Sequence, residues 1–361
     1  MNCRLLYLVG QLGLGGLEHQ LFCLIQAMDR RRYQPVIAVW GNSPNDHFAP
    51  KIRALDVPVI VLGTEPRRLA RLQTLSSLVS DLRPEVIHSY SFYTNILAWW
   101  VARDTAAIPI GAVQSSFISE RRHKTLLSKL SARWPHAQIF NSSTAAQNAD
   151  RIATSFRPAR SYVVKNGVDL DKFSPQLHPE RGYILAVGSL MPVKRWDRLL
   201  RVIACLKGKG VEFEVLHAGS GPLREELEVM ARGMHVEHVI RFLGNRDDIP
   251  SLLAGAAFLV HTSDVEGLPN VVLEAMACGR AVVGTDVGDV PFLIDDGKTG
   301  FVVSRQDETA LANRMATLLA DRELSFRMGE AGRLKAEQEF SLERLVSETF
   351  AVYRTEGWKD R

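Results

Sequence analysis

The chain has 361 residues, 46% of them apolar and 23% charged, with a formal net charge of +4. That is room for two domains of ordinary globular composition, and it excludes a disordered or fibrous chain. No apolar run approaches the ~20 residues of a membrane-spanning helix, and the opening run Leu5–Val9 reads as a first strand rather than a signal peptide. Four cysteines, Cys3, Cys23, Cys205 and Cys278, lack zinc-site spacing and read as free thiols in a reducing cytosol. Charge is uneven. Residues 1–174 hold 21 Lys+Arg against 12 Asp+Glu, whereas residues 175–361 hold 23 against 28. The basic first half suits a phosphorylated or membrane-borne partner. With no zinc-finger spacing or RNA-binding aromatic motif, nucleic acid is not expected.

In chain order, residues 4–9 form a strand, and Gly13-Leu14-Gly15-Gly16-Leu17-Glu18 opens a helix ending near Met28. Strands follow at Val36–Trp40, Pro58–Leu62, Glu85–His88, Ile108–Val113, Ala137–Asn141 and Ser161–Lys165, with helices near 47–55, 67–82, 93–103 and 120–133. The turn-rich segment Asn166–Pro175 is the candidate linker. A second series then begins: strands at Tyr183–Val187, 212–217, Val239–Leu243, Ala256–His261, 281–284 and Gly300–Val303, and helices at 195–207, 222–232, 247–254, 270–277 and 307–320. Strands alternating with helices predict parallel sheets.

The most informative stretch is Asp264–Gly288, DVEGLPNVVLEAMACGRAVVGTDVG. Glu266 lies in a loop, and Glu274, eight positions on, lies in the helix starting at Asn270. A helix N-terminus between two carboxylates suits a phosphate flanked by hydroxyls, as in a nucleotide diphosphate sugar. Two solvated surface carboxylates are the plain alternative. The string E-G-L-P-N-V-V-L-E-A-M-A-C-G-R-A-V-V resembles the Glu-x7-Glu signature of retaining glycosyltransferases of family 4. The resemblance covers most of the chain and is densest from 182 to 303.

That resemblance implies an α/β, GT-B fold: two doubly wound Rossmann-like domains facing a central cleft. Residues 1–174 would bind acceptor and residues 175–340 the donor, with a helix at 341–361 that can cross back to the first domain. It also implies roles. Val187-Gly188-Ser189-Leu190-Met191-Pro192-Val193-Lys194-Arg195 resembles the donor-phosphate loop, with Lys194 on the diphosphate. Ser189 stands where the family has arginine, and Arg195 is the candidate replacement. Gly219, in His217-Ala-Gly-Ser-Gly, resembles the family's glycine turn, and Arg246 its nucleobase loop. The amides near Asn270 and Val271 would face the diphosphate, Glu274 the ribose, and Glu266 with Gly267 and Leu268 the transferred sugar. Gly15 and Gly16 resemble the Gly-Gly-x-Glu turn that faces the donor phosphates or the acceptor. His88, in Pro84-Glu-Val-Ile-His-Ser-Tyr90, matches the first histidine of His-x-His, with Tyr90 in place of the second. Catalytic expectation therefore falls on Glu266, Lys194 and His88, with a buried or capping His88 as the alternative.

Three motifs point elsewhere and fail in detail. The first glycine loop lacks the third glycine of a dinucleotide fingerprint, and no acid follows Trp40. Gly297-Lys298-Thr299 lacks the upstream glycine of a P-loop, having Phe292 there. Asp169-Leu170-Asp171 mimics a metal-binding Asp-x-Asp but falls in the linker turn, so no metal or other cofactor is expected. Arg121–Trp134 combines Arg121, Arg122, Lys124 and Lys129 with Leu126, Leu127 and Leu130, a pattern that can lie on an anionic membrane. The reading is a retaining transferase moving a sugar from a UDP- or GDP-sugar to a glycan or lipid-linked acceptor, cytoplasmic or peripheral on the inner face of the cell membrane. A sugar phosphorylase, a nucleotide-sugar epimerase or a non-catalytic nucleotide-sugar-binding subunit are the alternatives.

Overall fold

The computed structural model describes residues 3–41, 46–63, 68–113, 126–151 and 157–360. The chain forms two compact units, Met1–Gly167 with Leu342–Arg361, and Val168–Ser341. The division falls inside the turn-rich segment Asn166–Pro175, and the last helix, Leu342–Thr355, is part of the first unit.

The first unit holds a seven-stranded sheet: β1 (Cys3–Val9), β2 (Tyr33–Val39), β3 (Val59–Val61), β4 (Val86–Ser89), β5 (Ile108–Val113), β6 (Ala137–Phe140) and β7 (Arg160–Val163). Its order is β3-β2-β1-β4-β5-β6-β7, and every pairing is parallel. The unbroken apolar run of β1 explains its central place. Leu5, Tyr7 and Val9 enter one core cluster and Leu6 and Leu8 the other, so both faces are buried. Helix Leu342–Thr355 sends Leu345, Phe350 and Tyr353 into the first of these clusters, where Phe350 meets Tyr33 edge-on at 4.6 Å. One short helix, Ser143–Asp150, was not foreseen. Its sequence is nearly all small or polar, and its only signal is the cap at Ser142, whose hydroxyl accepts from the Ala145 N–H at 3.2 Å.

The second unit holds a six-stranded parallel sheet: β8 (Tyr183–Val187), β9 (Val215–Ala218), β10 (Ile240–Gly244), β11 (Ala256–His261), β12 (Ala281–Thr285) and β13 (Gly300–Val303). The order β10-β9-β8-β11-β12-β13 reverses between β8 and β11. In open parallel sheets, ligands bind outside the carboxyl ends of the strands at such a switch point. The loops that leave those two ends, 188–195 and 262–269, carry Lys194 and Glu266.

Glycines let these loops crowd together. Gly219 has φ +144°, donates its N–H to Gly244 O at 2.8 Å, and leaves room for nothing else: a Cβ there would lie 2.0 Å from Gly188 O. Gly288, at φ +53°, would place a Cβ 2.5 Å from the carbonyls of both Glu266 and Gly267. Arg280, three residues beyond helix Asn270–Ala277, reaches the last carbonyls of helix Ile249–Gly255. It is fully buried, has no carboxylate partner among the described residues, and donates to the carbonyls of Leu253 (2.9 Å), Ala254 (2.7 Å), Gln176 and Leu177. Gly219→Ala should destabilise the chain by about 3 kcal/mol or more, from strained backbone plus a clash with main chain that cannot swing away. A lowered thermal unfolding midpoint checks this; an unchanged one contradicts the tight loop packing.

Candidate functional site

The site in the second unit is built from the end of β11. The strand is apolar until His261-Thr262-Ser263, three consecutive polar residues that are each buried. Buried polar groups must find partners, and these find the two loops at the switch point. Thr262 Oγ1 donates to the Lys194 carbonyl at 2.8 Å, and Asp264 N donates to Val193 O at 2.9 Å, which ties the 188–195 loop to the 262–269 loop. Trp196 Nε1 donates to Ser189 O at 2.9 Å and fixes the loop from its other side.

Three donors then converge on one atom. Lys194 Nζ and Ser263 Oγ each lie 2.6 Å from Glu266 Oε1, and His261 Nε2 lies 3.1 Å from it. Burial opposes ionisation of Glu266. The His261 hydrogen bond and the Lys194 charge outweigh it and hold the carboxyl at about 2, so Glu266 is ionised at neutral pH. Lys194 and Glu266, separated by 72 residues, are thus a half-buried ion pair.

Glu274 is treated oppositely by its surroundings. It lies on the second turn of the helix, and burial pushes its carboxyl up to about 7, offset in part by the Lys172 charge. The helix Asn270–Ala277 begins behind Pro269, a residue whose side chain cannot cap the first amides. Gly267 is held by its carbonyl, which accepts from Asp289 N at 2.8 Å, and Leu268 is buried.

Other expected site residues have different company. Arg195 adopts left-handed backbone (φ 53°) and commits its guanidinium to Asp197 at 3.0 Å and Asp264 at 2.7 Å. Arg198 joins it on Asp264 at 2.8 Å. Arg195 is therefore part of an acidic–basic network that braces the loop, and Ser189 is exposed. Arg246 is exposed and pairs with its neighbour Asp248 at 2.5 and 2.7 Å. Gly15, Gly16 and His88 belong to the first unit. Gly15 is the extended residue before the helix Gly16–Ala27, and Glu18 folds back so closely that a Cβ on Gly15 would meet its Oε2 at 2.3 Å. His88 is enclosed: 2% exposed, its Nδ1 is 2.7 Å from Tyr353 Oη, among the rings of Tyr7 and Tyr90. Burial lowers its pKa to about 3, so the ring is neutral. His88 thus occupies the buried position of the alternative reading. In the linker turn, Asp169 Oδ1 accepts from the N–H groups of Asp171 (3.2 Å) and Lys172 (2.9 Å), an Asx turn.

Sequence reasoning passed over His261 and Ser263. Their signal was present: polar residues closing a buried apolar strand, five and three positions before Glu266.

Comparison with known proteins now gives the class. Residues 168–335 match the family model for glycosyl transferases group 1, and residues 14–172 match that for glycosyltransferase family 4. Together these span most of the chain, which belongs to the family 4 glycosyltransferases of GT-B fold. It is 32% identical over 170 residues to N-acetyl-alpha-D-glucosaminyl L-malate synthase of Bacillus anthracis, covering 47% of this chain and 44% of that one. It is 27% identical over 310 residues to D-inositol 3-phosphate glycosyltransferase of Salinispora arenicola, covering 74% and 68%. It is 34% identical over 204 residues to the GDP-mannose-dependent alpha-(1-6)-phosphatidylinositol monomannoside mannosyltransferase of Mycolicibacterium smegmatis, covering 51% and 53%. The matched stretches thus span about half to two thirds of these relatives. Among solved structures, Anabaena HepE in complex with UDP and glucose superposes with a TM-score of 0.86 at 19% identity, covering 98% of this chain and 100% of that one. Sucrose-phosphate synthase from Thermosynechococcus elongatus superposes with a TM-score of 0.84 at 19% identity, covering 98% of both.

The Glu266 arrangement carries a pH signature. Its folded-state pKa of about 2 lies below the ordinary 4.5, so its contribution to stability is complete above about pH 4.5 and is lost as pH falls towards 2. That contribution is roughly 3 kcal/mol. Glu266→Gln should therefore be less stable than wild type at pH 7, and the gap should fall by about half by pH 3. Urea midpoints across that range measure it; a gap independent of pH would contradict the assignment.

Proposed function

We propose that this chain transfers a sugar from a nucleotide diphosphate sugar, UDP- or GDP-linked, to an acceptor hydroxyl with retention at the anomeric carbon. The observation that carries the reading is the ionised Glu266, held through one oxygen by Lys194, Ser263 and His261 at the switch point of the second sheet. An oxygen so held leaves its twin, Oε2, to accept from a hydroxyl of the transferred sugar. Lys194 and the first-turn amides at Asn270 and Val271 take the diphosphate, where charge grows as the bond from the anomeric carbon to phosphate oxygen breaks. The new bond forms from the acceptor oxygen on the same face, and its proton passes to an oxygen of the departing diphosphate. Glu274 accepts from the ribose. HepE, as bound to UDP and glucose, and the GDP-mannose-dependent mannosyltransferase frame the two donor classes.

The first unit is assigned the acceptor. Its helix Leu126–Arg133 exposes Leu126 and Leu127 beside Lys129, while Trp134 stacks on Trp99 at 5.0 Å and Arg133 lies over the Trp134 ring. Arg121, Arg122 and Lys124 lie outside the described residues. Among the described residues no helix is long and apolar enough to cross a membrane. A lipid-linked acceptor at the cytoplasmic leaflet accounts for the basic first half.

The deciding experiment is an acceptor-dependent assay that follows release of nucleotide diphosphate and the anomeric configuration of the product. We expect release coupled to a new glycosidic bond of unchanged configuration, and activity that persists in excess EDTA, because Asp169 is spent on its turn. Inversion, or loss in EDTA restored by manganese, would overturn the respective part. For the membrane, co-sedimentation with anionic liposomes at low salt should fall when Arg121, Arg122, Lys124 and Lys129 are changed together to Ser, at about 1 kcal/mol per residue. Donor binding should stay as it was. Binding unchanged by the fourfold substitution would leave this helix as a solvated face.

A further inference from the structure

We propose that His261 and Ser263 are positioning residues that fill one oxygen of Glu266, so that the carboxylate offers a single acceptor, Oε2, to one hydroxyl of the transferred sugar. The proposal rests on the donor-binding reading above and assigns these two side chains within it.

The geometry fixes who donates to whom. A carboxylate oxygen only accepts, so the short contact from Ser263 Oγ at 2.6 Å is an O–H donated to Oε1. The Ser263 proton is then unavailable to His261, although Oγ lies 3.2 Å from Nε2. Neither Ser263 nor Glu266 Oε1, at 3.1 Å, can donate to Nε2, so Nε2 carries the hydrogen and directs it at the Glu266 carboxylate, with Ser263 Oγ as a second acceptor. The other ring nitrogen, Nδ1, is buried with no hydrogen-bond partner among the described residues, so the imidazole is turned wholly towards Glu266. With Lys194 at 2.6 Å, Oε1 receives three donors, more than its lone pairs accommodate in ideal directions.

Neither residue is free to drift. His261 is the last residue of β11 and is 2% exposed, and Ser263 is 1% exposed with its carbonyl accepting from Thr285 Oγ1 at 2.7 Å. His261 thus sits on sheet backbone and Ser263 on a buried residue two positions beyond it whose carbonyl is tied to Thr285, whereas Lys194 reaches Glu266 on four rotatable bonds from a loop. The division of labour follows. Lys194 can turn its charge to a phosphate while His261 and Ser263 keep Oε1 filled and the carboxylate rotamer set. A carboxylate with both oxygens open could take two neighbouring hydroxyls. One with a single open oxygen reads one, which makes the triplet a determinant of which sugar hydroxyl is recognised.

Calorimetry on the full chain separates this from a merely structural role. The probes are UDP-glucose, UDP-N-acetylglucosamine and GDP-mannose, with UDP and GDP as the sugar-free parents. For the tightest sugar nucleotide of wild type, His261→Leu and Ser263→Ala should each weaken binding about tenfold or more, while the parent diphosphate stays within about twofold. His261→Gln, whose amide can donate at similar reach, should recover most of the loss. Equal affinity of wild type and both variants for the sugar nucleotide would overturn the proposal with the donor reading intact. Equal weakening of sugar nucleotide and parent would also overturn it, by showing a general collapse of the loop. If His261→Leu does not fold, Ser263→Ala alone decides. A wild-type chain that binds none of the five probes would overturn the donor reading and this proposal together.

Discussion

The second unit depends on one constraint: a buried carboxylate must be paid for by donors, and Glu266 has three on a single oxygen. Desolvating a carboxylate without partners costs several kcal/mol. Here the partners come from three elements, the 188–195 loop, the end of β11 and the loop that carries Glu266 itself. The ion pair therefore does more than hold two side chains. It fixes the relative positions of the two loops at the point where the sheet order reverses, which is where an open parallel sheet admits a ligand.

The surrounding packing serves the same end. Gly219 lets the β9 loop lie against Gly188, and Gly288 lets the β12 loop press on the Glu266–Gly267 peptide. The network of Arg195, Arg198, Asp197 and Asp264 locks the entry to helix Trp196–Gly208. Electrostatic catalysis needs dipoles and charges that are already oriented before the reaction, and this bracing holds Lys194 and Glu266 in one arrangement. The two acidic residues of the signature then differ sharply. Glu266, met by Lys194 and His261, is ionised; Glu274, pushed up by burial and drawn down in part by the Lys172 charge, titrates at about 7.

Much of this was legible in the sequence because it is local. Apolar runs such as Leu5–Val9 and Val282–Val283 announce buried parallel strands, and Glu266 and Glu274 declare themselves by their spacing around a helix start. Lys194 was legible through the loop around it. What was hidden depends on contacts between distant residues. Nothing local says that Arg195 turns to Asp264, 69 positions away, or that His88 is closed off by Tyr353, 265 positions away. His261 and Ser263 were near enough to Glu266 to be read, yet a polar strand end has many uses, and only the fold shows all three side chains meeting. The helix Ser143–Asp150 escaped for want of an apolar period.

The central claim is that Glu266 meets the sugar and the N-terminus of helix Asn270–Ala277 meets the diphosphate. A crystal structure of the chain with a bound nucleotide diphosphate sugar tests it most directly. The account predicts a sugar hydroxyl within hydrogen-bond distance of Glu266 Oε2, His261 and Ser263 still on Oε1, and the diphosphate between Lys194 and the amides of Asn270 and Val271. A donor whose sugar lies away from Glu266, or whose phosphates lie away from that helix, would contradict it.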